Sequence, residues 1–336
     1  MKSIQFRAPG EPSAVLKCVN DEKPKPRSGE VLVRMLASPV NPSDMMFVRG
    51  LYTIPAQCPA TPGFEGVGIV EQSGGGLRGS LFRGRRVVVL NRRGGNWAEY
   101  TTVPSTDVIP VSKALSDEQA ATFFVNPATA WVMTQEVLQI PEGQWLLQSA
   151  AGSALGRMIV RLAQHCGFRT FNVVRRESVA DELRAMGADH VEVFDNTPDA
   201  ETRLGDAVRR VIGQSGVRFA IDAVGGQTGS AIVRQLGTDG RVLVYGTLSG
   251  QSLEFSPRTL MTVGSKVEGF WLGQFMQQQS LLFKLSLVRR LTKLIQAGIL
   301  STEISTTWSL DDISKAVLSS EDPSIRGKTL LRISDR

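Results

Sequence analysis

Cysteine is scarce in this chain: Cys18, Cys58 and Cys166 are the only three among 336 residues, far apart and without Cys-x-x-Cys spacing. Their isolation excludes a disulfide framework and a zinc-finger arrangement, and it points to a reducing compartment. Long apolar runs are missing too, with nothing near the ~20 residues needed to cross a bilayer, so no membrane partner is expected. The start, Met1-Lys2-Ser3-Ile4-Gln5-Phe6, runs at once into an alternating strand pattern. It has neither the apolar core of a secretory signal nor the Arg/Ser-rich helix of an organelle leader, and a cytoplasmic protein is expected. There is no internal repeat and no low-complexity segment. The densest basic cluster, Arg83-Gly84-Arg85-Arg86 followed by Arg92-Arg93, lacks interleaved aromatics. The net charge of +6, from 38 basic and 32 acidic residues, therefore reads as a solvated basic face, and no nucleic-acid partner is expected.

What is present is the balance of an ordinary globular protein, 42% hydrophobic and 21% charged, in a length that suits about two domains. Residues 1–125 are rich in Pro and Gly and carry short β-branched runs such as Glu30-Val31-Leu32-Val33-Arg34-Met35-Leu36 and Arg86-Val87-Val88-Val89-Leu90, separated by turn signals, which predicts a β-rich domain. Around Asn126-Pro127-Ala128-Thr129-Ala130 the texture changes. Apolar runs at 145–150, 168–174, 190–194, 218–224, 241–246 and 266–272 alternate with helical patterns, which predicts a doubly wound parallel sheet of six strands over 126–272. A helix at roughly 278–297 follows, and the strand-like segments at 302–305 and 327–333 predict that 273–336 returns to the first domain.

The turn Ala151-Gly152-Ser153-Ala154-Leu155-Gly156 follows the first of those six strands and opens an amphipathic helix. Small residues there let backbone N–H groups approach a pyrophosphate, and the helix N-terminus favours an anion. The Gly-xxx-Gly spacing is weaker than Gly-x-Gly-x-x-Gly, and a tight turn with no ligand is the competing reading. The end of the next strand decides more. An acidic residue about 20 positions past the turn would bind a ribose 2′-hydroxyl; this chain has Arg175-Arg176, a guanidinium pair suited to a 2′-phosphate. That favours NADPH over NADH; two solvated arginines opening a helix, which the helix dipole disfavours, are the competing reading. Asp222-Ala223-Val224-Gly225-Gly226, Tyr245-Gly246-Thr247-Leu248 and Phe270-Trp271-Leu272 fall at further strand ends, where a doubly wound sheet binds its ligand.

Together with Asn41-Pro42-Ser43-Asp44, Gly50-Leu51-Tyr52, Pro62-Gly63-Phe64-Glu65-Gly66 and Asn126-Pro127-Ala128-Thr129-Ala130, these segments resemble the medium-chain dehydrogenase/reductase superfamily along almost the whole chain. The run Asn172-Val173-Val174-Arg175, the Phe270-Trp271-Leu272 triplet and the Asn-Pro-Ser-Asp run are most similar to the 2-enoyl thioester reductases, with the quinone oxidoreductases next. The resemblance implies a six-stranded Rossmann domain plus a GroES-like catalytic domain. Zinc-dependent members carry Gly-His-Glu where this chain has Gly63-Phe64-Glu65. With only His165 and His190 present and no closely spaced cysteines, neither zinc site of the superfamily can be assembled.

The implied activity is zinc-independent, NADPH-dependent reduction of the double bond of a 2-enoyl thioester carried on coenzyme A or acyl carrier protein. In enoyl reductases a tyrosine after the Asn-Pro-x-Asp run donates the proton, and Tyr52 holds that place here; a loop tyrosine capping the β-rich domain is the alternative. The same resemblance matches Asn126 to a contact near the nicotinamide, Gly152, Ser153, Ala154 and Leu155 to the phosphate turn, and Arg175, Arg176 and Glu177 to the 2′-phosphate segment. Tyr245, Gly246, Thr247, Leu248, Phe270, Trp271, Leu272 and Lys328 match the remaining cofactor contacts. Ala154 stands where relatives commonly have glycine. Met45, Met46, Phe47, Phe123, Phe124 and Trp271 could line an acyl tunnel or simply fill core. A quinone or enone reductase and a non-catalytic NADPH-binding regulator are the alternative functions, and a homodimer joined at a sheet edge is the implied assembly.

Overall fold

The computed structural model describes residues 1–195 and 197–335. The chain forms two compact units, Met1–Val125 with Ser301–Arg336, and Asn126–Leu300. In chain order the strands are β1 (Lys2–Gln5), β2 (Lys17–Asn20), β3 (Glu30–Pro39), β4 (Glu65–Ser73), β5 (Arg86–Leu90), β6 (Tyr100–Pro104) and β7 (Val108–Pro110). Then come β8 (Trp145–Gln148), β9 (Arg169–Val174), β10 (His190–Val193), β11 (Val217–Asp222), β12 (Leu236–Val244) and β13 (Lys266–Gly269), with β14 (Ile304–Trp308) and β15 (Lys328–Arg332) in the tail. Among the described residues, no helix is long and apolar enough to cross a membrane.

The first unit is built on a seven-stranded sheet in the order β14-β15-β3-β4-β5-β7, with β6 also paired to β3. Period-two alternation sends Val31, Val33 and Met35 of β3 to one cluster with Val70, Val87, Val89, Val103 and Val108, and a register shift between Met35 and Ala37 lets both Leu36 and Ala37 join Val67, Ala120, Ala121 and Leu330. The C-terminal strand enters this sheet antiparallel to β3, with Leu331 opposite Ser38. A third cluster gathers Ile4, Phe6, Met45, Phe47 and Trp97 with Leu310, Val317 and Leu331 of the tail. At ~1.5–3 kcal/mol for each large apolar side chain removed from water, the tail is integral to this unit.

The second unit has one parallel sheet in the order β10-β9-β8-β11-β12-β13. Counted within the unit, that is the doubly wound order 3-2-1-4-5-6, with the reversal between β8 and β11. Helices on both faces bury these strands, which is why Thr170 to Val174 of β9 are all buried and the sequence reads as near-continuous apolar runs rather than alternation. The helix Ala154–Cys166 turns Leu155, Met158, Ile159, Leu162 and Ala163 inward and ends at Gly167, whose φ of 78° suits glycine.

Two expectations shift. Strand β12 begins at Leu236 rather than 241, because its first half carries residues that read as a turn: Gly237 lies so close to the Ser215 carbonyl oxygen that a Cβ would stand 1.8 Å from it, and Asp239 has φ 54°. The return to the first unit comes at Ser301, not 273. Helical periodicity shows an apolar face but not what covers it. The helix Leu281–Gln296 buries Leu287, Leu291, Leu294 and Ile295, and Arg161 Nε donates to the Ile299 carbonyl at 3.0 Å, holding this segment in the second unit.

Candidate functional site

In an all-parallel sheet every carboxyl end lies along one edge, and that edge collects the cofactor residues expected from the sequence except Asn126, on the helix Val125–Trp131, and Lys328, on β15 of the first unit. The glycine turn follows β8, Arg175 to Glu177 follow β9, Asp222 closes β11, Tyr245 to Leu248 follow β12 and Phe270 to Leu272 follow β13. The turn is tightly made. Ala150 has φ 48°, unusual for a residue with a side chain. A Cβ on Gly152 would fall 2.4 Å from Val179 Cγ1, and one on Gly156 2.5 Å from the Ala151 carbonyl oxygen, so both glycines allow close approach of backbone and helix. Ser153 caps the helix by accepting from the Gly156 N–H at 3.1 Å, which leaves the first-turn N–H groups of Ala154 and Leu155 outside the helix's own bonding pattern. Their geometry can hold an anion.

Arg175 and Arg176 are exposed at the end of β9. Glu177 opens the next helix and pairs with Arg184 at 2.6 Å, which offsets its charge beside them. Asn126 is half-buried on the helix Val125–Trp131. At the point where the strand order reverses, Ser149 Oγ donates to Asp222 Oδ1 at 2.5 Å and accepts from the Ala223 N–H at 2.9 Å. Asp222 also accepts from the N–H groups of Val224 at 3.0 Å and Gly225 at 2.8 Å. The segment after β12 runs alongside, with Leu248 N–H on the Ala223 carbonyl at 3.0 Å and Ser249 N–H on that of Val224 at 2.9 Å. Burial, with the Asp222 charge adding to it, holds the Tyr245 hydroxyl protonated well beyond the usual tyrosine range. Trp271 immediately precedes the helix Leu272–Gln277 and is 38% exposed. Sequence reasoning missed the Ser149–Asp222 clamp, since a serine just past one strand and an aspartate ending another share no local pattern.

The first unit holds a different kind of site. Pro42 starts the helix Pro42–Val48 and Asp44 sits at its third position, where the carboxylate accepts from the Asn41 N–H at 2.8 Å. The other oxygen of Asp44 accepts from Gly63 N–H at 3.2 Å and Phe64 N–H at 3.1 Å. Burial pushes this carboxyl up to about 7 against the opposing pull of those N–H groups. Glu65, also buried, accepts from Asn41 Nδ2 at 2.9 Å and from the N–H groups of Val125 at 2.9 Å and Phe124 at 3.3 Å. Burial raises its pKa as well. Lys328, the first residue of β15, is 9% exposed; burial pushes its ammonium down while Glu65 and Asp44 pull it back up. Two buried carboxyls and one buried ammonium thus share a neighbourhood. The clue in the sequence was Glu65, a charge set in the run Phe64-Glu65-Gly66-Val67-Gly68-Ile69-Val70 that otherwise reads as buried strand.

Tyr52 is half-buried, its ring 4.9 Å from that of Phe64 and tilted by 33°. Phe64 in turn meets Phe47 edge to face at 5.3 Å. Met45 and Phe47 pack in the core with Phe6 and Trp97, and this settles them as core rather than acyl-tunnel residues.

Two family profiles match the chain, the alcohol dehydrogenase GroES-like domain over residues 27–113 and the zinc-binding dehydrogenase over residues 154–286. The mitochondrial enoyl-acyl-carrier-protein reductase of Xenopus tropicalis is 31% identical over 339 residues, covering 98% of this chain and 95% of that protein. A putative NADPH:quinone reductase from Bacillus thuringiensis has a similar structure, with a TM-score of 0.89 and 31% identity over 98% of both chains. A mycobacterial protein solved with NADPH gives a TM-score of 0.88 at 25% identity, covering 99% of this chain and 100% of that one. The chain belongs to the medium-chain dehydrogenase/reductase superfamily. As a member it is an oxidoreductase, with the Rossmann and GroES-like units of that superfamily. Zinc-binding members need a set of metal ligands, and the residues here do not fit one. Phe64 stands between Gly63 and Glu65, and no group of three or more His, Cys, Asp or Glu among the described residues could hold a metal ion. Beside Asp44 and Glu65 the nearby positive charge is the Lys328 ammonium.

Proposed function

We propose that this medium-chain oxidoreductase uses NADPH to reduce the carbon–carbon double bond of a 2-enoyl thioester, with Tyr52 as proton donor. The observation that carries the proposal is likeness over 98% of the chain to relatives named enoyl-acyl-carrier-protein reductase. NADPH, when bound, supplies the hydride. Gly152, Ser153, Ala154 and Leu155 would hold its pyrophosphate, and Arg175, Arg176 and Glu177 its 2′-phosphate end. Asn126, Tyr245, Gly246, Thr247, Leu248, Phe270, Trp271, Leu272 and Lys328 would supply the further contacts. The cradle at Gly152, which a Cβ would fill, and the exposed arginine pair at a strand end both support this choice. So does the NADPH complex of the mycobacterial neighbour.

Addition at the β-carbon of an unsaturated thioester leaves an enolate that must gain a proton at the α-carbon. A phenol, with an ordinary pKa of ~10, is protonated at neutral pH and can give one. Coenzyme A or acyl carrier protein would carry the acyl chain, and the net charge of +6 suits a phosphorylated or acidic carrier. A homodimer would form at β13, the edge of the parallel sheet. The isolated cysteines suit a reducing compartment, the cytoplasm in this proposal.

Likeness to the Bacillus thuringiensis protein favours a second reading, NADPH:quinone reduction. Steady-state rates on crotonyl and hexenoyl thioesters, enones and quinones, with NADPH and NADH in parallel, separate the two. Enoyl thioesters should turn over faster than quinones, and faster with NADPH. Quinone turnover that is faster and indifferent to Tyr52→Phe would replace the first reading with the second.

A further inference from the structure

Two of the connections that support Tyr52 lead back to one buried carboxyl. On one side the chain leaves the helix Pro42–Val48 through Gly50, whose N–H bonds the Phe47 carbonyl at 3.2 Å, and Leu51, whose N–H bonds that of Met46 at 2.8 Å. On the other side the Tyr52 ring lies on Phe64, the residue before β4. Asp44 joins the two. Its Oδ2 fixes the first turn of the helix through the Asn41 N–H, and its Oδ1 takes the N–H groups of both Gly63 and Phe64.

The turn at Gly63 has little freedom to substitute for that tie. Gly63 has φ 99°, and a Cβ there would stand 2.5 Å from Trp97 Cδ1. Its carbonyl accepts from the Asn96 N–H at 3.2 Å, and Trp97 is fully buried, so the outer side of the turn is fixed while Asp44 fixes the inner side. Phe64 is then held with one neighbour ring, Phe47, in the core and the other, Tyr52, on the loop. Asp44 has no exposed surface and no place in the proposed proton transfer.

We propose that Asp44 is a positioning residue for the reaction: by tying Phe64 to the helix Pro42–Val48 it sets the pose of the Tyr52 ring. This rests on Tyr52 being the proton donor. Misplacing a reacting group by about 1 Å can lower a rate ~10²-fold, so a support of this kind is worth a large part of the donor's own effect.

The test is a set of cycles on the full chain, assayed with NADPH and crotonyl thioester, with NADPH binding followed by nicotinamide fluorescence. Asp44→Ala should lower kcat ~10²-fold in the wild-type background and less than ~3-fold in the Tyr52→Phe background, with NADPH affinity unchanged in both. Asp44→Asn, which keeps an acceptor for the Gly63 and Phe64 N–H groups, should recover most of the loss. Phe64→Leu keeps every hydrogen bond of Asp44 and removes the ring, and should show the same collapse of its cost beside Tyr52→Phe; it decides the matter if Asp44→Ala does not fold. Losses that multiply fully in the double variants, as a general structural defect would give, overturn the positioning role while leaving Tyr52 as donor. A Tyr52→Phe variant with full activity overturns both.

Discussion

The two units build their candidate sites by different physics. In the second, parallel strands deliver separate segments to one edge, and each segment is a local motif: a glycine turn, an arginine pair, an apolar strand ending in a short loop. Backbone topology does the gathering, and Arg175, Arg176, Thr247 and Leu248 stand exposed there. In the first unit Asp44, Glu65 and Lys328 come from a helix start and from two strands remote in sequence, and all three titratable groups are buried in the interior. What holds the second site is a repeating fold rule, whereas the first is held by desolvated polar groups whose removal is felt throughout the unit. An edge tolerates variation residue by residue, and a buried polar cluster does not.

The largest expected effect is on chemistry in the first unit. Tyr52→Phe should lower kcat on enoyl thioesters ~10²- to 10⁴-fold, the usual worth of a general acid, with NADPH binding unchanged by fluorescence titration. Next comes the buried cluster. Lys328→Met leaves Asp44 and Glu65 without their cation and should cost ~3–5 kcal/mol by denaturant unfolding at neutral pH. That loss is pH-dependent. The Asp44 carboxyl sits at about 7 when folded against an ordinary 3.8, so between those values the folded chain keeps a proton that the unfolded chain has released. The contribution of Asp44 to stability therefore falls as pH rises through that window, and Glu65, shifted the same way, adds to the fall. Lys328→Met should steepen it, and Asp44→Asn should flatten it.

Effects at the edge should be confined to the ligand. Arg175→Ala and Arg176→Ala should each raise the KM for NADPH ~10- to 100-fold, as loss of a charge-assisted hydrogen bond does, leaving the KM for NADH and the unfolding midpoint near their original values. An equal penalty with both cofactors would remove the 2′-phosphate assignment. The smallest effect belongs to Ser149→Ala, which orphans the Ala223 N–H at the reversal of strand order and should cost ~1–3 kcal/mol of stability. If it were as damaging as Lys328→Met, the contrast between the two units would not stand.

That contrast also explains what was legible in the sequence. The six parallel strands could be read within a few residues because burial on both faces writes a strand as a continuous apolar run, and Arg175-Arg176 could be placed at a strand end because the run before them stops at Val174. The early start of β12 was hidden by Gly237, Asp239 and Gly240, which read as a turn and lie at a register shift, between Leu236 and Arg241, which pair with β11. The fate of the helix Leu281–Gln296 was hidden because an amphipathic pattern does not name its partner. Asp44 and Glu65 appeared only as members of motifs and Lys328 only as an expected cofactor contact, since no periodicity records which distant titratable groups will be buried together. The Ser149–Asp222 clamp was invisible for the same reason.

The most direct measurement of the proposed activity follows the two hydrogens separately. With NADPH carrying deuterium at its transferable position, and a crotonyl thioester in ordinary water, mass spectrometry and NMR of the saturated product should find deuterium on the β-carbon and a solvent proton on the α-carbon, and Tyr52→Phe should slow product formation without moving the label. Oxidation of NADPH that leaves the thioester unlabelled and unsaturated, while quinones are reduced in the same buffer, would contradict the account.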